Sequence, residues 1–95
     1  MEEKFSIGDI VLSKAGRDSG RYFVVVSSEG IFTYICDGDL HKIEKPKKKK
    51  IKHLKNTGST NESIAKKLLG KTMVTNPELR CAVLAFKEEF AEKDF

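Results

Sequence analysis

The first half of the chain alternates short apolar segments with polar, glycine-containing ones, a pattern typical of β-strands joined by tight turns. The clearest apolar segments, rich in β-branched and aromatic residues, are residues 10–12, 22–26 and 31–36. Two shorter segments, residues 40–43 and 51–54, are candidates for a fourth and a fifth strand. We therefore predict a mainly β fold, a five-stranded small β-barrel, because closing a small sheet removes its exposed edges.

The second half of the chain changes to helical spacing. Residues 56–61 are polar and contain Gly, Ser and Thr, so we expect a linker there. Residues 59–62 offer a capping box for a first helix that ends at Gly70, and a second helix is predicted from Asn76 as N-cap with Pro77 in its first turn. This helix carries an apolar stripe that we expect to pack in the core rather than on a partner: Leu79, Val83, Phe86 and Phe90. The predicted division is a barrel over residues 1–56 and a helical C-terminal extension over residues 57–95.

The composition fits one small folded protein. Of the 95 residues, 39% are hydrophobic and 34% are charged, which is too apolar for a wholly disordered chain. The N-terminal residues lack the basic and then apolar pattern of a signal peptide, and no apolar run is long enough to span a membrane, so we expect a cytoplasmic protein. Cys36 and Cys81 are both expected as reduced, buried thiols.

The positive charge is concentrated in one segment. Residues 1–59 hold 12 Lys and Arg against 8 Asp and Glu, whereas residues 60–95 hold 6 of each. Residues 45–55 contain no acidic residue and seven lysines: Lys45, Lys47, Lys48, Lys49, Lys50, Lys52 and Lys55. Lysines bind phosphate groups but read little nucleotide sequence. The run therefore predicts either a phosphate-binding patch or a solvated loop.

Residues 8–26 read GDIVLSKAGRDSGRYFVVV. This segment resembles the KOW motif, in the form carried by large-subunit ribosomal proteins of the eukaryotic and archaeal type. The resemblance continues through Asp37-Gly38 and residues 48–54, and it covers about residues 5–56, although many KOW motifs have a glycine at the position of Phe23. It implies an SH3-like barrel that binds structured RNA, usually ribosomal, through its loops and basic edge.

The loop after the first strand carries the second group of candidate RNA-binding residues. Its glycines permit a close approach of the backbone, and Arg17 and Arg21, with Lys14 just before them, can hold phosphate groups. The residues alone leave open an ordinary turn whose arginines pair with Asp18, and the KOW resemblance favours RNA contact. Tyr22 and Tyr34 are candidates for stacking on an unpaired base.

The other aromatic residues of the strands, Phe23 and Phe32, are expected in the core. The chain has no tryptophan and no dense aromatic platform, which favours recognition of RNA shape and backbone over a single-strand sequence code.

The sequence shows no convergent set of catalytic residues. Cys36 and His41 flank one turn without an orienting group, Asp37 and Asp39 fit a turn, and no Cys/His spacing matches a zinc site. We expect no enzyme activity, no cofactor, no metal, no membrane binding and no small-molecule substrate. The expected protein is a monomer that binds ribosomal-type RNA, and the large ribosomal subunit is the candidate partner. The alternative is a KOW-type protein-interaction module that docks on transcription or ribosomal proteins.

Overall fold

Five antiparallel strands and two helices make up residues 5–91, the part of the chain that the computed structural model describes. The strands are β1 (Asp9–Ser13), β2 (Tyr22–Glu29), β3 (Phe32–Cys36), β4 (Lys47–Lys50) and β5 (Leu54–Thr60). A 3-10 turn (Ile51–His53) joins β4 to β5, and the helices are α1 (Glu62–Leu69) and α2 (Asn76–Ala91). The strand order in the sheet is β4-β3-β2-β1-β5, so that β4 and β5 form its edges.

The first three strands lie where the apolar pattern predicts them, and the last two do not. Residues 40–43 form no strand, the lysine run itself forms β4, and the expected linker at residues 56–61 lies mostly within β5. β5 pairs with β1 through Leu54 opposite Ser13 and Asn56 opposite Val11. The prediction was wrong because the backbone hydrogen bonds of an edge strand need no apolar side chains, and solvent-facing lysines are common on such strands.

Both faces of the sheet are buried, and each has its own core. On one face Ile10, Val24 and Cys36 pack with residues of the helices and their connection, among them Ile64 and Leu79. The core on the other face contains Phe5, Val11, Phe23, Val25, Ile35 and Leu54. Neighbouring strand residues point to opposite faces, which explains why the central strands are apolar at successive positions. The helices thus share a core with the sheet, and β5 runs across the predicted boundary at residue 56.

The two helices begin at capped residues, but both caps differ from the prediction. Asn61 caps α1 by accepting a hydrogen bond from the backbone N–H of Ile64 (3.0 Å), and the capping box predicted at residues 59–62 does not form because residues 59–60 belong to β5. α1 ends before Gly70, as predicted. At α2 the cap is Thr75, whose Oγ1 accepts from the N–H of Glu78 (3.3 Å) while Glu78 Oε2 accepts from the N–H of Thr75 (2.9 Å). Asn76, the predicted cap, instead accepts at Oδ1 from the N–H of Ile43 (2.8 Å) and ties the helix to that loop.

The apolar stripe of α2 packs on the sheet along most of its length. Leu79 and Val83 are buried, and the Phe86 ring lies 5.0 Å from the Tyr22 ring, whereas Phe90 is 42% exposed. Both cysteines are free, as expected; Cys36 is buried, but Cys81 is exposed because it lies on the side of α2 away from this stripe. No helix among residues 5–91 has the length and apolar character needed to cross a membrane.

Candidate nucleic-acid interface

A cleft of about 610 Å³ lies between the β1–β2 loop, the loop after β3 and the edge strand β4. Basic side chains from three parts of the chain line it: Arg17, Lys47, Lys48, Lys50 and His53. Its apolar lining includes Phe32 and Leu40. The fold therefore brings the arginine of the glycine-containing loop beside the lysine run, two features that are far apart in the sequence.

The four lysines of β4 differ in their exposure. Lys47, Lys48 and Lys50 are exposed, whereas Lys49 is only 9% exposed and lies opposite the fully buried Thr33 of β3. The Lys48 ammonium lies 4.3 Å from the centre of the Phe32 ring, within the range of a cation–π contact. The prediction of a phosphate-binding patch or a solvated loop therefore fails for Lys49, whose side chain turns inwards beside Thr33.

Lys49 joins the edge strand to the β1–β2 loop through a buried network. Its Nζ donates to the carbonyl oxygen of Ala15 (2.7 Å) and to Ser13 Oγ (2.9 Å), and it forms an ion pair with Asp18. The second carboxylate oxygen of Asp18 lies 3.3 Å from His41 Nε2. Asp18 is 4% exposed, so its charge is compensated almost wholly by protein groups. The network fixes the loop that carries Arg17 against both walls of the cleft.

The environment of Asp18 strongly favours its charged form. Burial by itself would raise the pKa of this carboxyl, but hydrogen bonds from Lys49, Ser13 and His41 and the charge of Lys49 lower the pKa to about 2. Asp18 is therefore a carboxylate at every pH at which the protein is expected to work.

We expect the stability of the protein to fall between about pH 4 and pH 2 through Asp18. The folded-state pKa of about 2 lies below the ordinary value of 3.8, so the stabilisation is complete above pH 3.8 and is lost as pH falls through about 2. The difference corresponds to about 2 kcal/mol. Urea unfolding across this window measures it, with Asp18→Asn as the comparison. If wild type and Asp18→Asn lost stability in parallel, other carboxyl groups would be responsible.

Arg21, the other arginine of the loop, lies outside the cleft. Its Nη2 contacts Asp37 Oδ2 at 3.1 Å and Asp39 Oδ2 at 3.3 Å, and not Asp18, the partner considered from the sequence. Burial opposes ionisation of Asp37, but hydrogen bonds from the N–H groups of His41 and Asp39 and from Arg21 lower its pKa. Arg21 therefore braces the segment after β3, which forms one wall of the cleft.

The same segment is held from the other side by α2. Arg80 Nη1 donates to the carbonyl oxygen of Gly38 (2.6 Å). Gly38 has a φ of 77°, and a Cβ at this position would lie 2.1 Å from the carbonyl oxygen of Asn76. Only glycine allows this approach, which sets the position of Leu40 and His41 at the cleft.

The remaining candidate residues lie around the cleft or away from it. The side chains of Lys14, Lys45, Lys52 and Lys55 are exposed and do not line it, although the N–H of Lys14 donates to the carbonyl oxygen of His53 (2.8 Å). Both tyrosines are half-buried: Tyr22 packs on Phe86, and Tyr34 lies opposite Lys48. Phe23 is fully buried, as expected, whereas Phe32 belongs to neither core and lines the cleft.

The sequence interpretation missed the roles of Asp18, His41, Phe32 and Leu40. The sequence does contain an acidic residue, Asp18, between the loop glycines, and an inward-facing lysine in β4 could have been paired with it. Recognising that lysine requires the correct bounds of β4, which the sequence did not reveal. Leu40 and His41 gave no local signal, because the segment after β3 reaches the cleft only through its contacts with Arg21 and α2.

The described residues contain no group of three or more His, Cys, Asp or Glu placed to hold a metal ion. Burial, with the charges of Asp37 and Glu44, raises the pKa of the Cys36 thiol to about 12, so no thiolate forms there at neutral pH. Comparison of the chain with protein-family models and with curated proteins gives no match.

Proposed function

We propose that the protein binds the backbone of structured RNA in the cytoplasm, on the ribosome or with another part of the translation machinery, and that its sheet is an SH3-like barrel of the KOW type. The observation that carries this proposal is the meeting of Arg17 with Lys47, Lys48 and Lys50 around one cleft. The net charge of +4 gives the protein a general attraction for polyanions, and the cleft concentrates it.

The chemistry of the rim suits phosphate groups. Arg17 offers a planar fork that can hold one phosphate through two hydrogen bonds, and each exposed lysine offers a compact charge on a flexible stem. These side chains are free to move to the spacing of an RNA backbone, whereas Lys49 and Asp18 hold the strand and the loop beneath them in place. Lys14 and Lys52 are adjacent in the sequence to Ala15 and His53, which line the cleft, and they extend the basic surface. We therefore expect contact with about four to six phosphates.

The first experiment is co-sedimentation of the tagged protein with ribosomes from its native lysate. We expect migration with the large subunit at low salt, loss of this migration at high salt, and loss after RNase treatment, because phosphate contacts weaken steeply with ionic strength. A protein that stayed at the top of the gradient under every condition would contradict the ribosomal part of the proposal. Binding to purified structured RNA would then test the remainder.

A protein-interaction module is the second candidate, and exposed apolar side chains on the helical side favour it. Leu69 is 69% exposed and Met73 is 81% exposed, and Met73 lines a groove between the α1–α2 connection and residues 43–44. A complex formed on this surface would survive both high salt and RNase, because burial of apolar groups does not depend on phosphate contacts. The same gradients therefore separate the two candidates.

A further inference from the structure

The lining of the cleft is not only charged. Phe32 and Leu40 also line it, and neither side chain belongs to the two cores of the sheet. Leu40 is 50% exposed, and Phe32 is half-buried. Phosphate groups make no use of these apolar side chains, because they are bound by charges and hydrogen-bond donors. A cleft lined by both cations and apolar side chains suits a ligand with both a flat apolar part and a phosphate.

We infer that the cleft receives one unpaired base of the bound RNA, seated between Phe32 and Leu40, while Arg17 and the exposed lysines of β4 hold the phosphates on either side of it. This inference rests on the proposed RNA-binding function and names the RNA feature that the site selects. The cleft volume of about 610 Å³ lies in the range of about 300–1,000 Å³ found for sites that bind small organic ligands. A nucleotide in a duplex keeps its base stacked inside the helix, so only an unpaired one can enter.

The Phe32 ring is already paired with a cation. The Lys48 ammonium lies 4.3 Å from the ring centre, on a side chain whose end is otherwise exposed. A base that stacks on this face of the ring takes the place of the ammonium, and the flexible lysine stem then allows the charge to move to the phosphate of the same nucleotide. Stacking and phosphate binding are thus coupled in a single event.

The site selects an unpaired base without reading its identity. The Nε2 atom of His41 lies against Asp18. The side chains of Phe32 and Leu40 have no hydrogen-bonding groups. Every base has a flat apolar face, so stacking tolerates all four bases. We therefore expect discrimination between unpaired and paired nucleotides, with little preference among base types.

The test compares three RNA hairpins that share one stem: fully paired, with a single-nucleotide bulge, and with an abasic residue as the bulge. Wild-type protein is expected to bind the bulged hairpin about tenfold more tightly than either of the others, since stacking of one base on an aromatic side chain contributes roughly this factor or more. The abasic hairpin separates the base from the altered backbone.

Phe32→Leu, which keeps an apolar side chain but removes the ring, is expected to reduce the tenfold preference to nearly one. Leu40→Ala removes the second apolar contact and should reduce the preference in part; Leu40 is 50% exposed, so this variant is not expected to misfold. The matched control is Leu69→Ala, another exposed leucine, on α1 and away from the cleft, which should keep the full preference.

The outcomes separate this inference from the function on which it rests. Equal, salt-sensitive binding of the three hairpins by wild type would overturn the base site and leave phosphate binding intact. Retention of the preference in both Leu40→Ala and Phe32→Leu would also overturn it. Failure to bind any hairpin at low salt would overturn the base site and the proposed RNA-binding function together.

Discussion

Replacement of Lys49 by methionine is expected to lower the free energy of unfolding by about 3–5 kcal/mol at neutral pH. Methionine keeps most of the length of the side chain but removes the ammonium, which contacts Ser13, Ala15 and Asp18. The Asp18 carboxylate, 4% exposed, would then be buried without its principal partner. Removing one member of a buried ion pair costs far more than the pair contributes, because an uncompensated charge remains. Urea unfolding followed by circular dichroism measures the change.

Two further variants show whether the buried charge is the cause. Lys50→Met makes the same substitution at the neighbouring exposed position of β4, and we expect it to change stability by less than about 0.5 kcal/mol. The double variant Asp18→Asn/Lys49→Met removes both charges and should be more stable than Lys49→Met alone. If Lys49→Met and Lys50→Met were equally stable, the network around Asp18 would contribute nothing to the folded state.

The strands could be predicted where side-chain burial dictates them. β1, β2 and β3 lie in the middle of the sheet between two cores, so each contains a run of successive apolar residues that gives a strong local signal. β4 and β5 are edge strands made largely of lysine and small polar residues, and only their pairing with β3 and β1 defines them. Such pairing is non-local and leaves little trace in composition.

The basic residues of the candidate site could be predicted from the sequence, but its buried network and apolar lining could not. The Arg17 loop and the lysine run were evident from the sequence, and the structure brings both to one cleft. The inward turn of Lys49 depends on the register of β4 against β3, and a shift of one residue would place a different lysine opposite Thr33. The contribution of Leu40 depends on Arg21, Gly38 and Arg80, which come from three separate elements. Contacts of this kind follow from the assembled fold and from no local pattern.

Replacement of Lys47, Lys48 and Lys50 together by glutamine is expected to weaken binding to structured RNA by roughly 100-fold at about 0.15 M salt. Each neutralised phosphate releases counterions and contributes about 0.9 to the slope of log K against log salt, which corresponds to about 0.7 log units at this salt concentration. Three such contacts give about two log units, and the slope, expected at about −3 to −5 for wild type, should become shallower by two to three. Fluorescence anisotropy across a salt series measures both.

This variant should leave the melting temperature nearly unchanged, because all three lysines are exposed and Lys49 is retained. Including Lys49 would mix loss of binding with loss of the fold. The control is Lys66→Gln/Lys71→Gln/Lys87→Gln, which removes three exposed charges from the helical side of the chain and lowers the net charge equally. If both triple variants weakened binding to the same extent, attraction would depend on total charge and the cleft would have no special part in it. A selective loss in the β4 variant, with its shallower salt slope, assigns the phosphate contacts to this edge of the sheet.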